Sequence, residues 1–310
     1  MLPLPPARVT QRPRVRSIAL RRTIVAIACA AAALSVASSA LASNAVFLHA
    51  GDVIRYGLTI DVDVHVAPAP HTTQPPIDVK SAVNGTETIA GLRVDPDGSV
   101  HAAVGIALNT TGANGASVVN NRLLMKLSPN GTVTGEGGES ATALEYIKTI
   151  SDAARLYHNR VLYVGERFDQ SMSIPGAIPM TVTTHAEVVG EKNYLGYPTF
   201  AIQTTGNGGF DTTFQGATTK GTFEVAGTTY VDQRDALLVG QAMHSSVDAQ
   251  VGGETGNHIT ADTNVTLMLD SFTHAEPAPP PRPKPKPSPT PTAVASPTPT
   301  PTLAPNQYYT

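Results

Sequence analysis

The chain has 310 residues, with 21 Lys and Arg against 24 Asp and Glu, one Cys and no Trp. The lone Cys29 excludes an intramolecular disulfide framework and a multi-thiolate metal site. Between positions 43 and 275, 12 basic residues face 23 acidic ones, a net of −11, which excludes nucleic acid and anionic membrane surfaces as electrostatically favoured partners.

The N-terminus is basic and then apolar. Arg8, Arg12, Arg14, Arg16, Arg21 and Arg22 precede an uncharged run over 23–42 that closes on Ala40-Leu41-Ala42. A basic segment, an apolar segment and a small-x-small site form a secretory signal. The pattern predicts a signal peptide over 1–42 and an extracytoplasmic destination: periplasm, cell surface or medium. The run has the length of a membrane span, but it is rich in Ala and Ser and poor in Leu, which disfavours a permanent anchor. Ala26-Ile27-Ala28-Cys29 is a poor lipidation site because few apolar residues precede it, and Arg21-Arg22 fits a twin-arginine signal only loosely.

Residues 43–275 are expected to form a single β-rich domain, and its first half reads as hairpins. Over 58–66, Ile60, Val62, Val64 and Val66 alternate with Thr59, Asp61, Asp63 and His65, the period-2 signature of a strand with one buried face. Segments 86–94 and 100–108 flank Asp95-Pro96-Asp97-Gly98, and segment 123–127 precedes Ser128-Pro129-Asn130-Gly131; both quartets have hairpin-turn chemistry. One helix is predicted near 142–158. Ala143, Ile147, Ile150, Ala154 and Tyr157 form an apolar stripe, and Thr142 with Glu145 makes a capping box.

Strand composition resumes over 168–174, 179–189, 199–205, 221–231, 236–251 and 258–272. In the fifth of these, Met243, Ser245, Val247 and Ala249 oppose His244, Ser246, Asp248 and Gln250. Gly206-Asn207-Gly208-Gly209 and Gly252-Gly253 are read as flexible turns. The fold class is therefore mainly β (α+β), a curved antiparallel sheet or half-barrel of hairpins with one central helix. Positions 276–310 carry Pro-Arg-Pro-Lys-Pro-Lys-Pro and then Ser/Thr-Pro repeats. That composition predicts a disordered or extended polyproline spacer.

Two stretches support a resemblance. Val161-Leu-Tyr-Val-Gly-Glu-Arg-Phe168 leads into long strands after the predicted helix, and Gly227-Thr-Thr-Tyr-Val-Asp-Gln-Arg-Asp-Ala-Leu-Leu-Val239 reads as a late hairpin. Over 140–272 this pattern resembles uncharacterised secreted bacterial β-rich domains and is distantly similar to the half-barrel lipoprotein carriers of the bacterial envelope. The resemblance implies a lipid or other apolar small molecule held under a sheet, and it assigns no ligand residue.

Asp61, Asp63 and His65 are the candidate metal ligands, since carboxylates and an imidazole suit a divalent cation. Alternate strand positions lie about 6.6 Å apart, so a shared ion needs further ligands from a neighbouring strand; the bland reading is the solvent face of an amphipathic strand. His185 with Glu187, His244 with Asp248, and His258 with Asp262 have the same bland reading. No Gly-x-Ser-x-Gly elbow and no phosphate loop is present. Asp95-x-Asp97-Gly98 starts like a calcium loop but lacks its distal Glu. No catalytic residue and no cofactor is assigned, and the sequence points to a non-catalytic binding module for an apolar or amphipathic ligand rather than an enzyme. The alternative is a structural or adhesive protein tethered to a cell-wall or envelope component through its proline-rich tail.

Overall fold

The computed structural model describes residues 48–112, 115–129, 133–138, 161–174, 180–214, 216–234, 236–253 and 255–274. The chain divides into two units, Met1–Ala275 and Glu276–Thr310, and every described residue belongs to the first. The predicted helix near 142–158 and the tail lie outside the described residues.

Eleven strands are described: β1 (Val53–Ala67), β2 (Ile77–Val94), β3 (Val100–Gly112), β4 (Gly115–Leu127), β5 (Val133–Gly138), β6 (Arg167–Ile174), β7 (Met180–Tyr194), β8 (Tyr197–Phe214), β9 (Ala217–Asp232), β10 (Leu238–Val251) and β11 (Asn257–Thr273). They form one antiparallel sheet in the order β5-β4-β3-β2-β1-β11-β10-β9-β8-β7-β6. The first and last strands pair at its centre, with Ile60 opposite Val265 and Val64 opposite Ala261. Within the described residues the sheet is open, because β5 pairs only with β4 and β6 only with β7.

Alternation decides which face each side chain takes. In β1, Ile54, Tyr56, Leu58, Ile60, Val64 and Val66 are buried while Arg55, Thr59, Asp61, Asp63 and His65 are exposed. In β10, Met243, Ser245, Val247 and Ala249 are buried and His244 and Asp248 exposed. Burying each such aliphatic side chain contributes about 1.5–3 kcal/mol. The buried side chains form two clusters. One centres on Tyr56, Ile89, Met125, Ile202 and Leu267; the other, toward the opposite ends of the strands, centres on Val64, Phe223, Val247 and Ile259. The sheet thus has an apolar, buried face and a charged, exposed one. A membrane-spanning barrel instead turns an apolar band outward and polar residues inward.

The β2–β3 turn is as expected. Gly98 adopts φ +82°, and its N–H donates to the Asp95 carbonyl at 2.9 Å. Leu127 pairs with Val133 across the second predicted turn. The glycine run from Gly206 to Gly209 is a correction. It is not a turn but the middle of β8, where Gly206 pairs with Thr184 and Val225. A Cβ at Gly206 would come within 2.8 Å of Thr184 Cγ2 and 3.0 Å of Val225 Cγ1, so glycine here admits close neighbours rather than bending the chain. The β7–β8 connection is a two-residue hairpin instead. Leu195 and Gly196 have φ of 51° and 86°, the left-handed pair that a tight hairpin requires.

Candidate functional site on the apolar face of the sheet

The three candidate metal ligands sit on the exposed face of β1, each against a different neighbour. Asp63 Oδ2 lies 2.7 Å from Lys80 Nζ, and His65 Nδ1 lies 2.6 Å from Asp78 Oδ1, both partners coming from β2. Asp61 lies between Ala82 and Asn264 in the ladders. An open groove along these strands is lined by Asp61, Asp63, Lys80, Asp262 and Asn264. Among the described residues no three His, Cys, Asp or Glu side chains are placed to hold a metal ion. The other histidines read as surface residues also find cross-strand carboxylates. His185 meets Asp169 at 2.7 Å and His258 meets Asp248 at 2.8 Å; His244 stands 3.7 Å from Asp262.

A tighter charge cluster closes the β2–β3 turn. His101 Nε2 lies 2.8 Å from Asp95 Oδ2, its Nδ1 lies 2.6 Å from Glu136 Oε2, and Lys126 Nζ donates to Asp95 Oδ2 at 2.9 Å. The hydrogen bonds from His101 and Lys126 hold the Asp95 carboxyl far below the usual carboxylate range. Those to Asp95 and then Glu136 raise the His101 imidazole above its ordinary value, against burial and the neighbouring Arg93 guanidinium. With every charge answered by an opposite one, this is a clasp joining the turn, β3, β4 and β5. The sequence showed Asp95 and Asp97 as turn residues; the partners Lys126 and Glu136 arrive from other strands.

The apolar face holds the less ordinary group. Glu87, in β2, stands opposite Tyr56 of β1 and Ile106 of β3. It is 2 % exposed, and its Oε1 has no hydrogen-bond partner. Burial alone pushes its carboxyl up to about 7. A carboxyl taken out of water without a partner is costly, so the cost must be met by packing elsewhere. Beside Glu87 the face is incompletely covered. Ile106, Leu108, Val83 and Val62 are only partly buried, although they pack against the core. The ladders place them in one strip: Ile106 faces Glu87, Leu108 faces Gly85, Val83 faces Ile60, and Val62 faces Thr263. The buried Thr263 Oγ1 also lacks a partner. From Glu87 to the Val62 level is six strand positions, about 20 Å at ~3.3 Å per residue.

Sequence reading missed Glu87 for a definite reason. Ile89 shares its parity and marks the buried side, but Leu92 and Val94 point the other way. A register shift between Gly91 and Arg93 leaves Leu92 exposed at 49 %, and this irregularity blurs the alternation that would have placed Glu87 inside.

Neither a family model nor a curated protein matches this sequence. Among solved structures, lipovitellin, from a study of its lipid–protein interactions, aligns with 75% of this chain and 26% of its own at 10% identity and a TM-score of 0.43. The chain thus spans about a quarter of the lipovitellin chain's length. An outer membrane channel from Pseudomonas putida F1 aligns with 73% of this chain and 98% of its own at 10% identity and a TM-score of 0.32. At such identities and scores neither likeness bears on function. What the described residues define is an antiparallel β-meander with one charged face and one apolar face, and with unpartnered polar atoms set into the apolar one.

Proposed function

We propose that the domain is a non-catalytic binding module, exported by the 1–42 signal, that holds an apolar or amphipathic small molecule against the apolar face of its sheet. The observation that carries this reading is the partly covered aliphatic strip of Ile106, Leu108, Val83 and Val62, bounded by unpartnered polar atoms of Glu87 and Thr263. Apolar walls with a few placed polar groups are what small-molecule sites are made of. A filled structural core would bury such aliphatics and satisfy such polar atoms. In this reading the proline-rich 276–310 segment is a spacer toward an envelope component.

The test is native mass spectrometry of the protein purified from its own host, together with titration by the neutral dye Nile red. A retained small-molecule mass, or saturable dye binding that a lipid displaces, is the expected result. A clean apo mass with no saturable dye binding would sink the reading and shift weight to a structural or adhesive role. Truncation after Ala275 would then be the next step: loss of envelope attachment supports the tether, and unchanged localisation removes it.

A further inference from the structure

Resting on that reading, the geometry points to the class of ligand: we infer that the site takes a cationic amphiphile, a long-chain amine whose ammonium group pairs with Glu87 while its chain lies along Ile106, Leu108, Val83 and Val62. Three observations converge on it. Glu87 is the ionisable side chain at the head of the partly covered strip, buried to 2 % exposure with Oε1 unpartnered. Its ladder neighbours supply no counter-charge, being Tyr56 on β1 and Ile106 on β3, and Tyr56 gives its hydroxyl proton to the Leu238 carbonyl at 3.1 Å. An ion pair formed there would be shielded from water, so an ammonium gains more from Glu87 than a neutral hydroxyl does.

The third observation is at long range. Residues 43–275 carry a net charge of −11, and the exposed face on the other side of the sheet carries Asp61, Asp63 and Asp262. Such a field raises the local concentration of cations and repels carboxylates. Pairing with an ammonium favours the ionised form of Glu87, whereas a fatty-acid carboxylate gives it no counter-charge and is repelled by that form, which is a selective element as well as an attractive one. Thr263, at the far end of the strip, offers its free hydroxyl oxygen to a polar group about 20 Å from the amine, at ~3.3 Å per strand residue.

The test uses the full chain and three chain-matched probes, hexadecylamine, hexadecanol and hexadecanoate, each competing with Nile red. The expected order is amine first, by about tenfold over the alcohol, with hexadecanoate weakest. Glu87→Gln, an uncharged near-isostere, is expected to erase the amine preference while hexadecanol and Nile red still bind. If hexadecanol competes but the amine competes no better, the Glu87 assignment is wrong and the binding-module reading stands. The same holds if Glu87→Gln keeps the amine preference. If no probe and no dye binds the wild-type chain, the reading itself fails and the inference with it. The wild-type ranking decides the matter even where the variant does not fold, and Glu87→Asp, which keeps the charge but withdraws it by one methylene, is expected to weaken the preference without removing it.

Discussion

Tyr56 and Leu238 lie 182 residues apart in the chain, yet the Tyr56 hydroxyl donates to the Leu238 carbonyl oxygen at 3.1 Å. Tyr56 belongs to β1 and Leu238 to β10, and β11 runs between them. The bond therefore ties three central strands at one end of the apolar face. Tyr56→Phe keeps the ring and removes the bond; the expected cost is about 1 kcal/mol. Tyr56→Ala also empties a wholly buried site and should cost about 3–5 kcal/mol. Urea midpoints at constant m-value check both, and equal losses for the two variants would contradict the bond's separate contribution.

Glu87 makes stability depend on pH with a defined sign. Its carboxyl rises from 4.5 to about 7 on folding, so the folded state binds the proton more tightly than the unfolded one. The stability from this group is complete below pH 4.5 and is lost as pH rises through about 7. The full swing is about 3 kcal/mol, at ~1.4 kcal/mol per pK unit. Glu87→Gln should flatten that part of the profile and be the more stable of the two chains at alkaline pH. Parallel wild-type and variant profiles from pH ~4 to ~9 would show that Glu87 is not buried as an acid.

The His101 clasp runs in the same direction for a different reason. Hydrogen bonds to Asp95 and Glu136 raise the imidazole above its ordinary 6.5. Its contribution is thus complete below 6.5 and disappears as pH climbs through the raised value. Because Glu136 is held on β5, the expected readout is local. Amide exchange over 134–137, corrected for its intrinsic pH dependence, should speed up on the alkaline side. His101→Gln should show the faster exchange on the acid side, with the difference from wild type narrowing as pH climbs, and unaltered exchange in the variant at acid pH would mean that the clasp does not hold β5.

Gly240 is a seat for an aromatic ring. A Cβ there would lie 2.5 Å from Tyr194 Cε1, and Tyr194 stacks on Tyr230 with centroids 4.0 Å apart and an interplanar angle of 6°. Gly240→Ala must displace the ring, at a cost of about 1–3 kcal/mol, part of it the stack itself, worth about 0.5–1.5 kcal/mol. Since the added methyl acts through Tyr194, the effect should largely vanish in a Tyr194→Ala background. Additive losses in the double-mutant cycle would place the strain elsewhere.

The exposed pair of Asp63 and Lys80 serves as a contrast. Their side chains are 49% and 79% exposed despite the 2.7 Å contact, so Lys80→Ala should leave the thermal midpoint almost unchanged, and the more so in high salt. A larger, salt-insensitive loss in thermal denaturation would show that the charged face contributes more than its exposure implies.

The sequence by itself determined the local grammar. Alternation placed Ile60, Val64 and Val66 on one face and Asp61, Asp63 and His65 on the other. It did the same for β10, and turn chemistry located the β2–β3 hairpin, because strand period and turn conformation belong to a few neighbouring residues. It could not show that Gly206 continues a strand, since what requires glycine there is the approach of Thr184 and Val225 from other strands.

Only the tertiary structure decided which residues meet. The pairing of β1 with β11, Lys126 and Glu136 closing on His101 and Asp95, and the burial of Glu87 opposite Tyr56 all follow from ladder registers between strands distant in the chain. A carboxyl at position 87 carries no mark of its surroundings in the sequence. Its environment is set by residues on β1 and β3 and by the irregularity at Gly91/Arg93. Burial and ion pairing are properties of the assembled sheet, whereas periodicity is a property of each strand alone.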